Sequence, residues 1–352
     1  MSQLAQSTSS TTASDTTPKA KKGRKRWIQV ISVLVTLALM AYILLNIEWA
    51  TLWALVISLS PVSIVGAFVT YTLLQVFRAW RFKALLEKRD TPYRLLIPIT
   101  FYHNFLVRVL PFKMGELSYI ILLRNRLKYS VEEGVSSLVA ARLLELIVII
   151  FVMGMALLAA GSDLAEQREV LIVLSVVGFI VCALGMYFAG SLIRWGLGIG
   201  RRILDALLGE RVPSFVDKLE VAFLKLADEF LALQRPALFS KALFITLFTY
   251  CGSFFTFYIL LLAIGVDVSV PTMVTLISLG MFASAFPLSV SGFGVVELSW
   301  AAGLIVLVGY TTADASAVGL LLHAFQIISA AVIGLVGYAL IQAQPARPEA
   351  AA

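Results

Sequence analysis

Six charged side chains sit inside otherwise apolar stretches of this chain: Arg108, Lys113, Glu116, Arg142, Glu145 and Glu297. They divide evenly between the two signs, so the set can balance, yet each costs enough in apolar surroundings to need a reason. Arg142 and Glu145 are three residues apart, which puts them on one face of a helix and within reach of each other. Such a pair either docks the helix into a bundle or belongs to a site. Glu116 follows Gly115, and Glu297 comes three residues after Gly294. A carboxylate in the first turn of a helical arm either complements the positive helix terminus or responds to protons or cations. Arg108 and Lys113 bracket Pro111, and the arm that begins beyond it aims its positive end at the same place, a cradle suited to an anionic group. Ser289 and Ser291 either cap an arm or supply hydroxyls.

Other chemistry is poorly represented. His103 and His323 stand singly, with Asn104 and Gln326 nearby and no metal-ligand spacing, so they read as hydrogen-bonded polar residues of the interior. There is no phosphate-binding loop, no G-x-S-x-G elbow, no Cys/His cluster and no dinucleotide fingerprint. No metal, cofactor, catalytic residue or ATP-driven step is expected, and the chain is not read as an enzyme.

The elements that must hold these residues follow from composition. Of 352 residues 60% are apolar and 14% charged, and the mean hydropathy is +0.92. An ordinary soluble core cannot hide so much apolar surface, so lipid is part of the solvent. Cys182 and Cys251 lie in apolar runs and read as small buried hydrophobes. The net charge of +7 does not imply nucleic-acid binding, because the basic residues follow the membrane topology.

Six spanning helices are expected, at Trp27–Leu45, Leu52–Phe77, Ser137–Ala160, Val170–Ala189, Leu238–Ile264 and Ser316–Ile341. Two further apolar regions, Leu95–Leu127 and Thr272–Gly309, are too long for one helix and are cut in the middle. The cuts fall at Pro111 to Gly115 and at Pro287 through Gly292 to Gly294. Each arm has about 12–16 residues, or roughly 18–24 Å of helix, short of the ~30 Å hydrocarbon thickness. A broken pair of this kind reads as a re-entrant hairpin, tolerated where the freed backbone is buried in protein or lines a wet cavity.

With the N-terminus cytoplasmic and both hairpins returning to the side they entered, charge separates cleanly. All of the 28 Lys and Arg residues except Arg108, Lys113, Arg142 and Arg168 then fall in cytoplasmic segments, including Arg78 and Arg81 in a basic stretch over 78–94. Both termini are expected in the cytoplasm, and five of the six tryptophans fall near span ends, Trp300 being the exception.

The two halves match. Helix 52–77, hairpin 95–127 and helix 137–160 correspond to helix 238–264, hairpin 272–309 and helix 316–341, in opposite senses through the membrane. The fold class expected is all-α: a polytopic helical membrane protein with six spanning helices and two Pro/Gly-broken re-entrant hairpins, arranged as an inverted repeat. Paired broken helices in inverted repeats mark many secondary transporters, with the site where the breaks meet. The full division is a disordered basic tail over 1–26, a membrane domain over 27–341 and a short disordered tail over 342–352. Within the domain, repeats over 52–160 and 238–341 flank a helix at 170–189 and a cytoplasmic segment at 190–236. There Phe215, Leu219, Phe223, Leu226, Phe230 and Leu233 form an apolar stripe that lies on the membrane or packs on the bundle.

Three stretches carry a resemblance: Pro111-x-x-x-Gly115-Glu116-Leu117, Ala141-Arg142-Leu143-Leu144-Glu145, and Phe286-Pro287-Leu288-Ser289 running into Gly292-Phe293-Gly294-x-x-Glu297. In this order they resemble the lysylphosphatidylglycerol synthase transmembrane-domain family, whose stand-alone members are flippase-like integral membrane proteins. The resemblance spans roughly residues 30–340. It implies a bacterial or archaeal cytoplasmic membrane, handling of phospholipids or lipid-linked intermediates, and functional weight on Pro111, Gly115, Glu116, Arg142, Glu145, Pro287, Gly292, Gly294 and Glu297. The chain departs from the family's Pro-Gly-Gly core and its basic residue before the second glutamate, having Val290-Ser291-Gly292 and Val296 there. Lipid aminoacylation, which the resemblance ties to a large soluble domain, is not expected.

The reading is a flippase-like protein that moves a lipid with an anionic headgroup between leaflets, the headgroup bound where the hairpins meet. Arg108 and Lys113 would hold the anion, and Glu116 and Glu297 would couple to protons or cations. The alternative is a non-transporting scaffold subunit that serves an envelope-biogenesis partner or a lipid-modifying complex.

Overall fold

The computed structural model describes residues 40–42, 44–45, 47–86, 91–110, 114–159, 165–208, 214–232, 234–285 and 292–344. The expected span Trp27–Leu45 lies almost wholly outside them, as do the tail over 1–26 and Pro111, Lys113, Pro287, Ser289 and Ser291. The described chain is all-α. Its helices are α1 (Trp49–Ser58), α2 (Pro61–Leu85), α3 (Tyr93–Val109), α4 (Met114–Leu127), α5 (Val131–Ala159) and α6 (Ala165–Leu208). They continue with α7 (Ser214–Ala232), α8 (Pro236–Ala263), α9 (Val270–Ala285), α10 (Val295–Val308) and α11 (Thr312–Gln342).

Among these, α2, α5, residues 172–206 of α6, α8 and α11 are long and apolar enough to cross a membrane. Their outer faces are apolar, as contact with lipid requires. On α6, Val173, Leu174, Val176, Val177, Ile180, Val181 and Leu184 are all exposed. Polar side chains occupy the inward faces instead. Thr246, Thr249, Ser253 and Thr256 of α8 recur at steps of three and four residues and are all buried. The molecule is a multi-pass helical membrane protein.

Two expected boundaries are corrected. Leu52–Phe77 is not one helix, because the chain turns extended at Leu59 and Ser60. The Ser60 hydroxyl accepts the Ser63 N–H at 3.1 Å, and Pro61 then opens α2 with its φ already set for a helix. The helix continues past Phe77 through Arg78 and Arg81 to Leu85. Likewise, α6 does not end near Ala189 but continues to Leu208. The amphipathic α7 folds back along it, with Arg194 paired to Asp228 and Arg201 to Asp205, Asp217 and Glu220. Leu226 and Phe230 of the apolar stripe pack on the bundle against Ala140 and Leu238, while Leu219 and Phe223 stay exposed.

The halves pack as an inverted pair. Along α2 and α8, Gly66 lies by Ile259, Thr70 meets Thr256 hydroxyl to hydroxyl at 3.0 Å, and Leu74 abuts Gly252. Phe77 then meets Phe248 with ring centroids 5.7 Å apart. One number rises as the other falls, so these corresponding helices are antiparallel. Three packings within and between the halves recur in pairs: α3 lies on α11 as α9 lies on α5, α4 on α5 as α10 on α11, and α2 on α3 as α8 on α9. Small residues make the cross-repeat contact close. Gly334 faces the Phe105 side chain, and Gly337 faces the Pro98 carbonyl oxygen.

The arms α3 and α4 meet where Gly115 leaves no room for a side chain: a Cβ there would collide with the Val107 and Leu106 backbone. Gly185 on α6 has open space around the same position. Gly115→Ala should therefore cost on the order of 1–3 kcal/mol through overpacking against backbone. Gly185→Ala should be neutral or slightly stabilising. Thermal unfolding midpoints in mild detergent, read side by side, check both.

Candidate functional site

A cavity of about 110 Å³ opens between the two broken elements. Its wall takes Gln75, Arg78, Arg81 and Phe82 from α2, and Thr100, His103, Asn104, Val107 and Arg108 from α3. The α5 helix adds Leu138, Ala141, Arg142 and Glu145. The second half contributes Ser284, Gly292, Val296 and His323. Residues beside both breaks thus line one space. Helical spacing explains the convergence, since Gln75, Arg78 and Arg81 recur every three residues on α2, and Thr100, His103 or Asn104, and Arg108 recur on α3.

Glu145 is the centre of the charge pattern. Its Oε1 accepts from Arg81 Nη2 at 2.7 Å and lies 3.6 Å from Arg78 Nε, while its Oε2 accepts from Arg142 Nη1 at 3.0 Å. Arg142 also reaches Glu116, Nη2 to Oε1 at 3.4 Å. Arg78 is held further by Asn104 Oδ1 at 3.2 Å, and Asn104 in turn donates to the Tyr71 hydroxyl at 2.8 Å. A carbonyl oxygen can only accept, so His103 carries its proton on Nδ1, donated to Gly115 O at 3.0 Å. This bond ties α3 to the start of α4.

The second half supplies a different device. Glu297, fully buried, accepts the Gly294 N–H on Oε2 at 2.8 Å and contacts His323 Nδ1 through Oε1 at 2.7 Å. Gly292 and Gly294 both adopt positive φ, +88° and +82°, which allows the backbone to turn into α10 with that N–H presented to the carboxylate. Glu297 therefore does complement a helix start, one of its two expected roles, and it also orients His323 at the cavity wall.

Positive charge is in excess here. Four arginines line the cavity, Arg78, Arg81, Arg108 and Arg142, against Glu145 in the wall and Glu116 behind Arg142. Among the described residues, Gln75 Nε2, Arg78 Nε, Arg81 Nε and Nη1, Arg108 Nε and His323 Nε2 are buried atoms with no hydrogen-bond partner. These belong to residues of the cavity wall, whereas Trp300 Nε1, also buried without a partner, lies outside it. Buried guanidinium N–H groups left unpaired are costly, and an anionic oxygen is what would satisfy them.

Of the residues singled out by sequence, Arg108, Arg142, Glu145 and Gly292 line this cavity, and Glu116 and Glu297 each contact a lining residue. Gly115 and Gly294 shape the backbone at the breaks. Lys113, Ser289, Ser291, Pro111 and Pro287 lie outside the described residues. The assignment of Arg78 and Arg81 to a cytoplasmic basic stretch is corrected: both are on α2, and Arg81 is only 1% exposed. Arg142 and Glu145 do pair, but within a cluster of several arginines. The signal for Arg78 and Arg81 was their helical spacing from Gln75.

Removing the shared carboxylate should be far more disruptive than removing the arginine that has no acid partner among the described residues. Glu145→Gln should cost about 3–5 kcal/mol, the scale for breaking a buried ion pair from one side. Arg108→Gln should leave stability unchanged or raise it. Unfolding midpoints of the two variants in the same detergent decide the matter.

The family model described as the lysylphosphatidylglycerol synthase TM region matches residues 29–334, nearly the whole chain. No curated protein and no solved structure matches at a significant level. On that match, and with the helical membrane architecture already described, the chain belongs to the lysylphosphatidylglycerol synthase TM region family.

Proposed function

We propose that this protein moves a lipid with an anionic headgroup between the leaflets of a cytoplasmic membrane, without altering the lipid chemically. The observation that carries the reading is the excess of arginine over carboxylate around the cavity, together with the arginine N–H groups there that lack acceptors. A phosphate seated among Arg78, Arg81 and Arg108 would accept those hydrogen bonds in pairs, which guanidinium groups do better than ammonium groups. Family membership supports lipid as the cargo.

In this reading the acyl chains stay in the bilayer while the headgroup enters the space between the broken elements. Those elements act as re-entrant hairpins, as the 14–17 residues of their arms suit. Their antiparallel arrangement supplies two equivalent packings through which the cavity can face either side. Glu297, which contacts His323 at the cavity wall, is the proposed coupling residue of the second half. The distribution of basic residues along the sequence supports a cytoplasmic location for both termini.

The test is lipid transfer in proteoliposomes, comparing fluorescent phosphatidylglycerol with fluorescent phosphatidylcholine. Wild type should move the anionic probe well above protein-free vesicles, and the zwitterionic probe much less. Arg108→Ala should slow anionic transfer roughly tenfold or more, the equivalent of one lost charge-assisted hydrogen bond. Equal transfer of both probes, or an unaffected Arg108→Ala variant, would refute the anion-seat mechanism. A properly folded protein that moves neither probe would count against transport and for the scaffold role.

A further inference from the structure

The Glu297–His323 pair has a property that the arginine cluster lacks: it can gain a proton without gaining an unpaired charge. Glu297 Oε2 accepts the Gly294 N–H at 2.8 Å, and Oε1 lies 2.7 Å from His323 Nδ1. That second contact holds one proton, whichever of the two atoms bears it. The far ring nitrogen, Nε2, is buried and has no hydrogen-bond partner among the described residues. His323 is 1% exposed and lines the first cavity, where a Cβ on Gly292 would stand 3.7 Å from Nε2. The ring is held in place. Phe293 packs on it with centroids 5.2 Å apart, and Gly319, one turn earlier on α11, admits the Glu297 backbone.

Proton counting gives the pair two states. With the shared proton alone, the pair keeps a negative charge and Nε2 presents a lone pair to the cavity. Both features repel an anion. With a second proton, Nε2 carries an N–H and the pair is neutral as a whole. This holds whether the shared proton sits on the carboxylate or on the ring, because the Gly294 N–H occupies Oε2.

The other ionisable groups around the cavity offer no equivalent. Arg78 and Arg81 on α2, Arg108 on α3 and Arg142 on α5 line it as cations. Glu145 on α5 is bonded to arginines through both oxygens, and Glu116 on α4 meets Arg142. His103 on α3 bonds to Gly115 O and lies 3.3 Å from Ser118 Oγ rather than against a carboxylate. A second proton there would add an unpaired cation to the arginines. The α1 and α10 helices, which also pack on α11, add no ionisable side chain besides Glu297.

We propose that His323 Nε2 is a proton-binding site and that a proton enters it with each anionic headgroup. This rests on the anion-seat reading above and names the ion and the atom through which coupling works. A proton from water adds to the Nε2 lone pair, and the new N–H donates to an anionic oxygen. The anion in turn cancels arginine charge that repels a proton arriving at Nε2. Linkage makes the effect reciprocal: acid strengthens headgroup binding, and headgroup binding takes up a proton. The proton leaves Nε2 when the headgroup leaves, so the two travel together.

The test is isothermal titration calorimetry on purified full-length protein in detergent, with dihexanoyl phosphatidylglycerol as the probe. The probe's phosphodiester does not titrate over the range of about pH 5–8 in which imidazole chemistry is read. Runs in buffers of different ionisation enthalpy count the protons taken up. Wild type should take up about one proton per bound probe and bind about tenfold more weakly for each pH unit raised. His323→Gln should bind the probe without proton uptake and with an affinity that no longer follows pH. In Glu297→Gln the Gly294 N–H claims the amide oxygen, the amide N–H faces Nδ1, and the ring proton moves to Nε2. That variant should therefore keep its acid-side affinity as pH rises.

The outcomes separate the two claims. Wild-type binding that depends on Arg108 but takes up no proton would overturn the proton site and leave the anion seat standing. Proton uptake retained in His323→Gln would place the proton on another group and overturn the site as well. Probe binding indifferent to Arg108→Ala would remove the seat on which the coupling rests. The wild-type proton count needs no variant, so a substitution that fails to fold leaves the test decisive.

Discussion

A single carboxylate shared among arginines sets the terms for the rest of this molecule. Glu145 on α5 meets Arg81 and Arg78 of α2 and Arg142 of its own helix, and Arg142 passes the contact on to Glu116 at the start of α4. Three elements of the first half are thus fixed to one another through charge at a place where apolar packing alone would not specify register. Because the arginines outnumber the acids, the cluster is stable yet unsatisfied. That imbalance makes the space beside it suited to an anion and poorly suited to an apolar side chain.

The architecture provides a setting in which such a cluster can be tolerated. In lipid the outer faces of the long helices need no polar groups, so the polar stripes of α2, α3, α5, α8 and α11 turn inward and meet between the repeats. The antiparallel contact of α2 with α8 brings the two broken elements to opposite sides of one interior. Glycines at the closest approaches, Gly115 against the α3 backbone and Gly337 against the Pro98 carbonyl, let the arms pack tightly enough to enclose a cavity. The two halves then differ in chemistry: the first supplies fixed positive charge, and the second supplies the Glu297–His323 pair.

Much of this was legible in the sequence, for identifiable reasons. The apolar lengths, the paired Pro/Gly interruptions and the match between halves depend on local rules of span length and backbone freedom, and the helices follow them. The pairing of Arg142 with Glu145 followed from a three-residue spacing. Arg78 and Arg81 escaped notice because basic residues after an apolar run ordinarily signal a cytoplasmic loop. Partners far away in sequence, Glu145 and for Arg78 also Asn104, hold them inside the bundle. The extent of α6 was hidden for a related reason, since Asp228, Asp217 and Glu220, which pair with Arg194 and Arg201, lie on α7, beyond any local window.

The account stands on where an anionic headgroup sits. The most direct measurement is a structure by electron cryomicroscopy of the protein in nanodiscs rich in phosphatidylglycerol, at a resolution that shows phosphate density. The account predicts a phosphate within hydrogen-bond distance of Arg81 and Arg108. Phosphate density confined to the bilayer surfaces, with the arginine-lined cavity holding only water, would contradict it.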